Sequence, residues 1–210
     1  MRLISTLLAV VSLLVPAVVS SGNQTSDQSS CSLTAEQSPT LRGVRLAMGA
    51  EQLLAIFPES SSTRSAIASA DGHPNYGVAS LFFQPPFLPS PVKERFAGID
   101  SIGITLFDGS VTEVRMEYAG PTSHPIRGPA WRNVDDFITK LSEAYALPPA
   151  KDWFERSQLA KTLQCTGFTL TASIENGRGS ITLRSNTRYD ATVRQRVLAD
   201  EERRRREFKP

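Results

Sequence analysis

Ile102-Gly103-Ile104-Thr105-Leu106-Phe107-Asp108-Gly109-Ser110-Val111-Thr112-Glu113-Val114-Arg115-Met116-Glu117-Tyr118 is the stretch that decides the fold. Ile102, Ile104 and Leu106 alternate with small or polar residues before Asp108-Gly109, and Val114, Met116 and Tyr118 alternate after it. A period of two sends successive side chains to opposite faces of a strand. Asp-Gly supplies the two positive φ angles of a tight hairpin turn, so the stretch predicts a β-hairpin with one apolar face. Further along, Phe168, Leu170, Ala172 and Ile174 alternate up to Asn176-Gly177, and Ile181 and Leu183 return, which predicts a second hairpin. Leu163 and Cys165 alternate in the opposite phase, and a bulge near Gly167 is expected to reconcile the two.

The residues between the apolar positions are Thr105, Glu113, Arg115, Glu117, Thr169, Thr171, Ser173, Thr182 and Arg184. They are polar, as the solvated face of an antiparallel sheet requires. Outward from the hairpins, residues 42–46 alternate enough for a short strand. Gly49-Ala50-Glu51-Gln52 opens a helix with Leu53, Leu54 and Phe57 on its apolar face and Pro58 as its stop. Residues 60–75 read as a loop or frayed helix and 76–83 as a strand, apolar on both faces at its end. Residues 84–91 hold four prolines and are expected to be irregular. Asn133 caps a helix with Asp136 at the capping-box position and Val134, Ile138, Leu141 and Tyr145 on one face. The adjacent Asp135 and Asp136 suit a helix N-terminus. The fold class is therefore α+β, an antiparallel sheet with helices on one face. It is read as a single domain over 41–186 or as two tandem helix-plus-hairpin units, 41–120 and 130–186. Residues 187–210 form a charged helix with Tyr189, Val193 and Val197 as its narrow apolar stripe. Acid-before-base pairs Asp200/Arg204, Glu201/Arg205 and Glu202/Arg206 lie along it.

The first residues read as a signal peptide over 1–21, with Arg2 basic, an apolar run to Val19 and small residues after it. An uncleaved anchor is the alternative, and Pro16 near the end of the run favours processing. Residues 22–40 are a polar, flexible lead-in, with an Asn23-Gln24-Thr25 sequon. Roughly 190 residues remain, enough for a domain with a real core. The 23 basic and 21 acidic residues leave a nearly neutral body, which calls for no nucleic-acid partner. Cys31 and Cys165 are the two cysteines, and an even pair bound for an oxidising compartment predicts a disulfide. Closing so long a loop restrains the unfolded chain by about 4–5 kcal/mol. Lipidation of Cys31 does not fit its neighbours Gln28-Ser29-Ser30, so no stable membrane anchor is expected after cleavage.

Nucleophile-elbow, phosphate-loop, H-E-x-x-H and C-x-x-C motifs are absent from the sequence. His73 and His124, the two histidines, each precede proline in a loop. No catalytic residue, metal or cofactor is assigned. Trp131, Trp153 and Phe154 flank the Asn133 helix, where aromatics are core packing or binding anchors. Arg203 to Arg206 follow acids and read as a salt-bridged helix face. Phe87-Leu88, between prolines, has two readings, a lid folded onto the core or an exposed anchor for a partner. Arg115 and Arg184 on the open sheet face join this pair as candidate partner-binding residues.

Gly43-Val44-Arg45-Leu46-Ala47-Met48-Gly49-Ala50-Glu51-Gln52-Leu53-Leu54-Ala55-Ile56-Phe57-Pro58 resembles the opening motif of the SmpA/OmlA small outer-membrane-assembly lipoproteins. That motif is a turn into a short helix ended near proline. The helix-then-sheet unit in tandem is similar to the β-lactamase inhibitor protein fold. The resemblance implies a secreted scaffold or inhibitor that binds proteins through a sheet and lacks catalytic residues. The expectation is thus a secreted or periplasmic interaction domain whose partner is another envelope or secreted protein. The alternative is a small-ligand or envelope-polymer binder using Trp131, Trp153 or Tyr118 in a cleft, and, behind it, a hydrolase with converging carboxylates.

Overall fold

A computed structural model of the chain describes residues 31–58, 64–65, 76–187 and 189–208. The leader, the sequon, His73 and nearly all of 60–75 lie outside the described residues. Both hairpins form. β2 (Ile99–Phe107) and β3 (Ser110–Tyr118) turn at Asp108-Gly109; β6 (Phe168–Glu175) and β7 (Arg178–Ser185) turn at Asn176-Gly177. The φ angles are 47° and 74° in the first turn and 50° and 74° in the second. Two positive φ angles give the turn a twist that matches the strands it joins. β1 (Val78–Phe83), β4 (Phe154–Ser157) and β5 (Ala160–Gln164) complete a seven-stranded sheet in the order β1-β2-β3-β7-β6-β5-β4. Every pairing is antiparallel.

The order places the two hairpins symmetrically about the centre of the sheet. β3 and β7, each the last strand of its hairpin, meet at the centre, with Val114 opposite Leu183 and Met116 opposite Ile181. β2 and β6 flank them, then β1 and β5; β4 has no counterpart among the described residues. Leu81, Ile104, Val114, Leu183, Leu170 and Leu163 form one cross-strand row on the inner face. No member of that row is more than 6% exposed.

Helices cover this inner face because each carries an apolar stripe to bury. α1 (Ala50–Ile56) starts where the Gln52 side chain accepts from the Gly49 amide at 3.2 Å, and it buries Leu53 and Ile56. Phe57 then stacks on Phe83 at 3.9 Å and on Phe96 at 5.4 Å. α3 (Val134–Tyr145) is capped by Asn133, whose Oδ1 accepts from the Asp136 amide at 2.9 Å. It buries Val134, Phe137, Ile138 and Leu141. The Phe137 ring occupies the space over Gly179, where a Cβ would stand 2.6 Å from it.

Four local expectations are corrected. Residues 42–46 are no strand: Arg42 and Gly43 take φ of 52° and 96°, and Leu41 and Val44 exchange hydrogen bonds of 2.7 and 2.9 Å across this tight reversal. The proline segment is not all irregular. After a 3-10 turn at Pro85–Phe87 comes α2 (Ser90–Arg95), with Pro91 in its first turn where no amide hydrogen is needed. No bulge separates Cys165 from Phe168; the chain reverses there, so Leu163 directly faces Leu170 and the phase inverts. The lead-in is docked from Cys31 onward. Cys31 is bonded to Cys165 with Cα atoms 4.4 Å apart, and the Thr166 and Gly167 amides donate to the carbonyls of Cys31 and Leu33 at 3.0 Å each.

α4 (Asp190–Glu207) takes the other side of the sheet. Tyr189 packs on Phe107 at 4.4 Å, and the Arg196 guanidinium lies 5.1 Å above the same ring. Arg196 also donates to Asp108 at 2.6 and 2.8 Å and to the Tyr76 carbonyl at 2.9 Å. Asp200, only 3% exposed, accepts from the Tyr76 hydroxyl at 3.1 Å and from Arg203 and Arg204. Val193 and Val197 are half-buried on the same stripe. Arg205 and Arg206 are paired to Glu201 and Glu202, so the arginine run is internally compensated.

Candidate binding face

The strand register assembles the polar residues into ordered rows on the outer face. One row crosses all seven strands: Phe82, Gly103, Arg115, Thr182, Thr171, Thr162 and Phe154. A second runs Ser80, Thr105, Glu113, Arg184, Thr169 and Gln164. Arg115 and Arg184, far apart in sequence, thereby become diagonal neighbours on β3 and β7. Each has an acid beside it, Glu117 at 2.8 Å from Arg115 and Glu113 at 3.4 Å from Arg184. The guanidiniums stand outermost: the two arginine side chains are 56% and 69% exposed, their partners Glu117 and Glu113 36% and 32%.

α4 overhangs one end of these rows and closes a groove of about 850 Å³. Its floor is Thr105, Arg115, Thr171, Thr182 and Arg184, Arg156 comes from β4, and Tyr189 and Val193 form the helix wall. Glu113 and Asp190 are its acids. Glu113 answers Arg184, and Asp190 stands in the first turn of α4, where a negative charge suits the helix dipole. No pair of buried carboxylates converges in the groove. Among the described residues no group of three His, Cys, Asp or Glu could hold a metal ion.

Of the sequence candidates, Arg115 and Arg184 lie in the groove and Phe87 and Leu88 do not. The proline-flanked pair divides its roles. Leu88 packs against the core while Phe87, at the end of the 3-10 turn, is 69% exposed. Tyr118, Trp131 and Trp153 also lie outside the groove, in the packing of α3 on the inner face. Tyr118 meets Phe137 edge-on at 5.3 Å and its hydroxyl lies 3.3 Å from that of Tyr145; burial pushes its phenol far above the usual range. Trp131 tilts against Phe137 at 5.0 Å, and Trp153, 4% exposed, donates from Nε1 to the Pro148 carbonyl at 3.0 Å.

Phe82 and Phe154 are exposed by 67% and 52% at the two ends of the seven-residue row, and sequence reasoning passed over Phe82 while leaving Phe154 open between core packing and a binding anchor. The signal was present for Phe82 in a strand apolar on both faces. The two readings divide between neighbours, since Trp153 goes in and strand alternation sends Phe154 out. No protein-family model, curated protein or solved structure matches the chain. Among the described residues no helix is long and apolar enough to cross a membrane.

Proposed function

We propose that the chain is an exported, non-catalytic interaction module, of the scaffold or inhibitor kind, that receives an acidic surface of another envelope or secreted protein on its open sheet face. The observation that carries this reading is the row from Phe82 to Phe154, in which Arg115 and three threonines lie between an exposed ring at each edge, with Arg184 diagonal to Arg115 in the next row. Aromatic and arginine side chains dominate binding hot spots, and the fork of a guanidinium matches a carboxylate bidentately. The pairs Arg115–Glu117 and Arg184–Glu113 are solvent-exposed. Such pairs are held by about 0–1 kcal/mol, so both arginines re-pair with a partner's carboxylates at small cost. The groove is within the size range of ligand pockets, but its floor of threonines and arginines is polar and its apolar side chains are confined to Val78, Leu106, Phe107, Tyr189 and Val193, which suits a protein loop better than a small apolar ligand. The leader read over 1–21 supports export, the Cys31–Cys165 disulfide is compatible with a non-cytoplasmic site, and the resemblance of residues 43–58 agrees.

A photo-crosslinking residue at Thr171, in the middle of the row, tests the reading, with one at exposed Glu143 on α3 as the control. The expected result is a crosslink to a single envelope or secreted protein from position 171 only, lost in Arg115→Glu/Arg184→Glu. Equal labelling from both positions, or labelling indifferent to the charge reversal, overturns the proposal.

A further inference from the structure

The two edges of the sheet are built in opposite ways. β4, at one edge, is four residues long, carries Glu155 and Arg156, and has a register irregularity between Glu155 and Ser157. Short length, charge and a bulge are the devices by which an edge strand refuses to pair with another chain. β1, at the other edge, reads Val78-Ala79-Ser80-Leu81-Phe82-Phe83. It has no charge and no proline, and its pairing with β2 runs without a break. Among the described residues nothing pairs with its outer side.

We infer that β1 pairs antiparallel with β1 of a second copy of this chain, joining two sheets edge to edge about a two-fold axis at Leu81. The strand is complementary to itself by volume in that register. Leu81 meets Leu81 on the axis, Ser80 lies opposite Phe82, and Ala79 lies opposite Phe83, so both phenylalanines have a small residue across from them. Residues opposite one another in an antiparallel pair share a face and lie about 5 Å apart. The exposed Phe82 ring of each copy therefore covers the Ser80 position of the other, and no like charges meet. A strand with this small-to-large gradient fits its own reverse, which a foreign strand has no reason to do. The two open faces stay on one side and form a continuous binding surface.

Sedimentation of the purified, disulfide-bonded protein across roughly 1–100 µM tests this. Twice the chain mass at the upper end is expected, with the outward amides of β1 gaining exchange protection as concentration rises. Phe82→Lys places two like charges diagonally across the two-fold axis at an exposed position and should weaken the dimer at least 100-fold, while its thermal melt matches the parent's at concentrations where both are monomers. Phe154→Lys, at the protected edge, should leave it intact. Ser80→Lys, also exposed, serves should Phe82→Lys fold poorly. A monomer throughout the range, which is the outcome if the edge serves a foreign strand instead, overturns the inference, as does a dimer unaffected by both β1 substitutions. Arg115→Glu/Arg184→Glu should leave the dimer unchanged, which separates this contact from partner binding.

Discussion

Gly167 works by what it lacks. Thr34 and Ala35 pass so close to its Cα that an added Cβ would lie within their backbone atoms, whereas a Cβ on Gly103 would meet only Arg115 Cβ at an ordinary 3.8 Å. Backbone cannot yield as the end of a side chain can. Gly167→Ala should accordingly cost about 1–3 kcal/mol, read as a lower urea midpoint. Gly103→Ala should remain within about 0.5 kcal/mol of the parent. The sequence marks Gly167 as irregular in strand phase, but the chain crowding it is more than 130 residues away, bound to Cys165 across a separation of 134. Likewise, Arg115 and Arg184 are legible as outward-facing residues, while their adjacency depends on β3 pairing with β7.

At the scale of elements, α4 shows how a charged helix becomes attached. It has one narrow stripe, and polar contacts from Arg196 and Asp200 supplement the packing of Tyr189, Val193 and Val197. Hydrogen bonding from Arg203 foremost, with Arg204 and Tyr76, holds the Asp200 carboxyl at a pKa of about 2, below its ordinary 3.8. A carboxyl lowered in the folded state stabilises the fold above its unfolded pKa, and that contribution is lost as pH falls from about 4 through 2. Hydrogen exchange in residues 190–207 should therefore rise on acidification across that window before exchange in β6 and β7 does. Asp200→Asn should raise it at neutral pH, and equal exchange in parent and variant would show that Asp200 does not hold the helix. The acid-before-base spacing of Asp200 and Arg204 is legible in the sequence; Tyr76 as a third partner is not, because it belongs to the turn before β1.

For the whole molecule, the disulfide ties the first described residue to the reversal between β5 and β6. Its effect falls mainly on the unfolded chain, where a loop this long is worth about 4–5 kcal/mol in the entropic account. Cys31→Ser/Cys165→Ser should lower the denaturation midpoint by up to that amount. It should release residues 31–38 to fast exchange and keep the sheet's circular dichroism, since the inner row is closed by hydrophobic packing and not by the crosslink. Loss of the sheet signal in native buffer would show that the core cannot stand without the bond.

The sequence by itself determined both hairpins, their inner and outer faces, the α1 and α3 helices and the cysteine pair. Each depends on local periodicity, on turn chemistry or on there being only one pairing to make. Only the tertiary structure decided the strand order, the docking of α4 over Phe107 and the row that ends in Phe82 and Phe154. Strand order and register are set by which strand edges meet, and periodicity within a strand is the same whichever neighbour it finds.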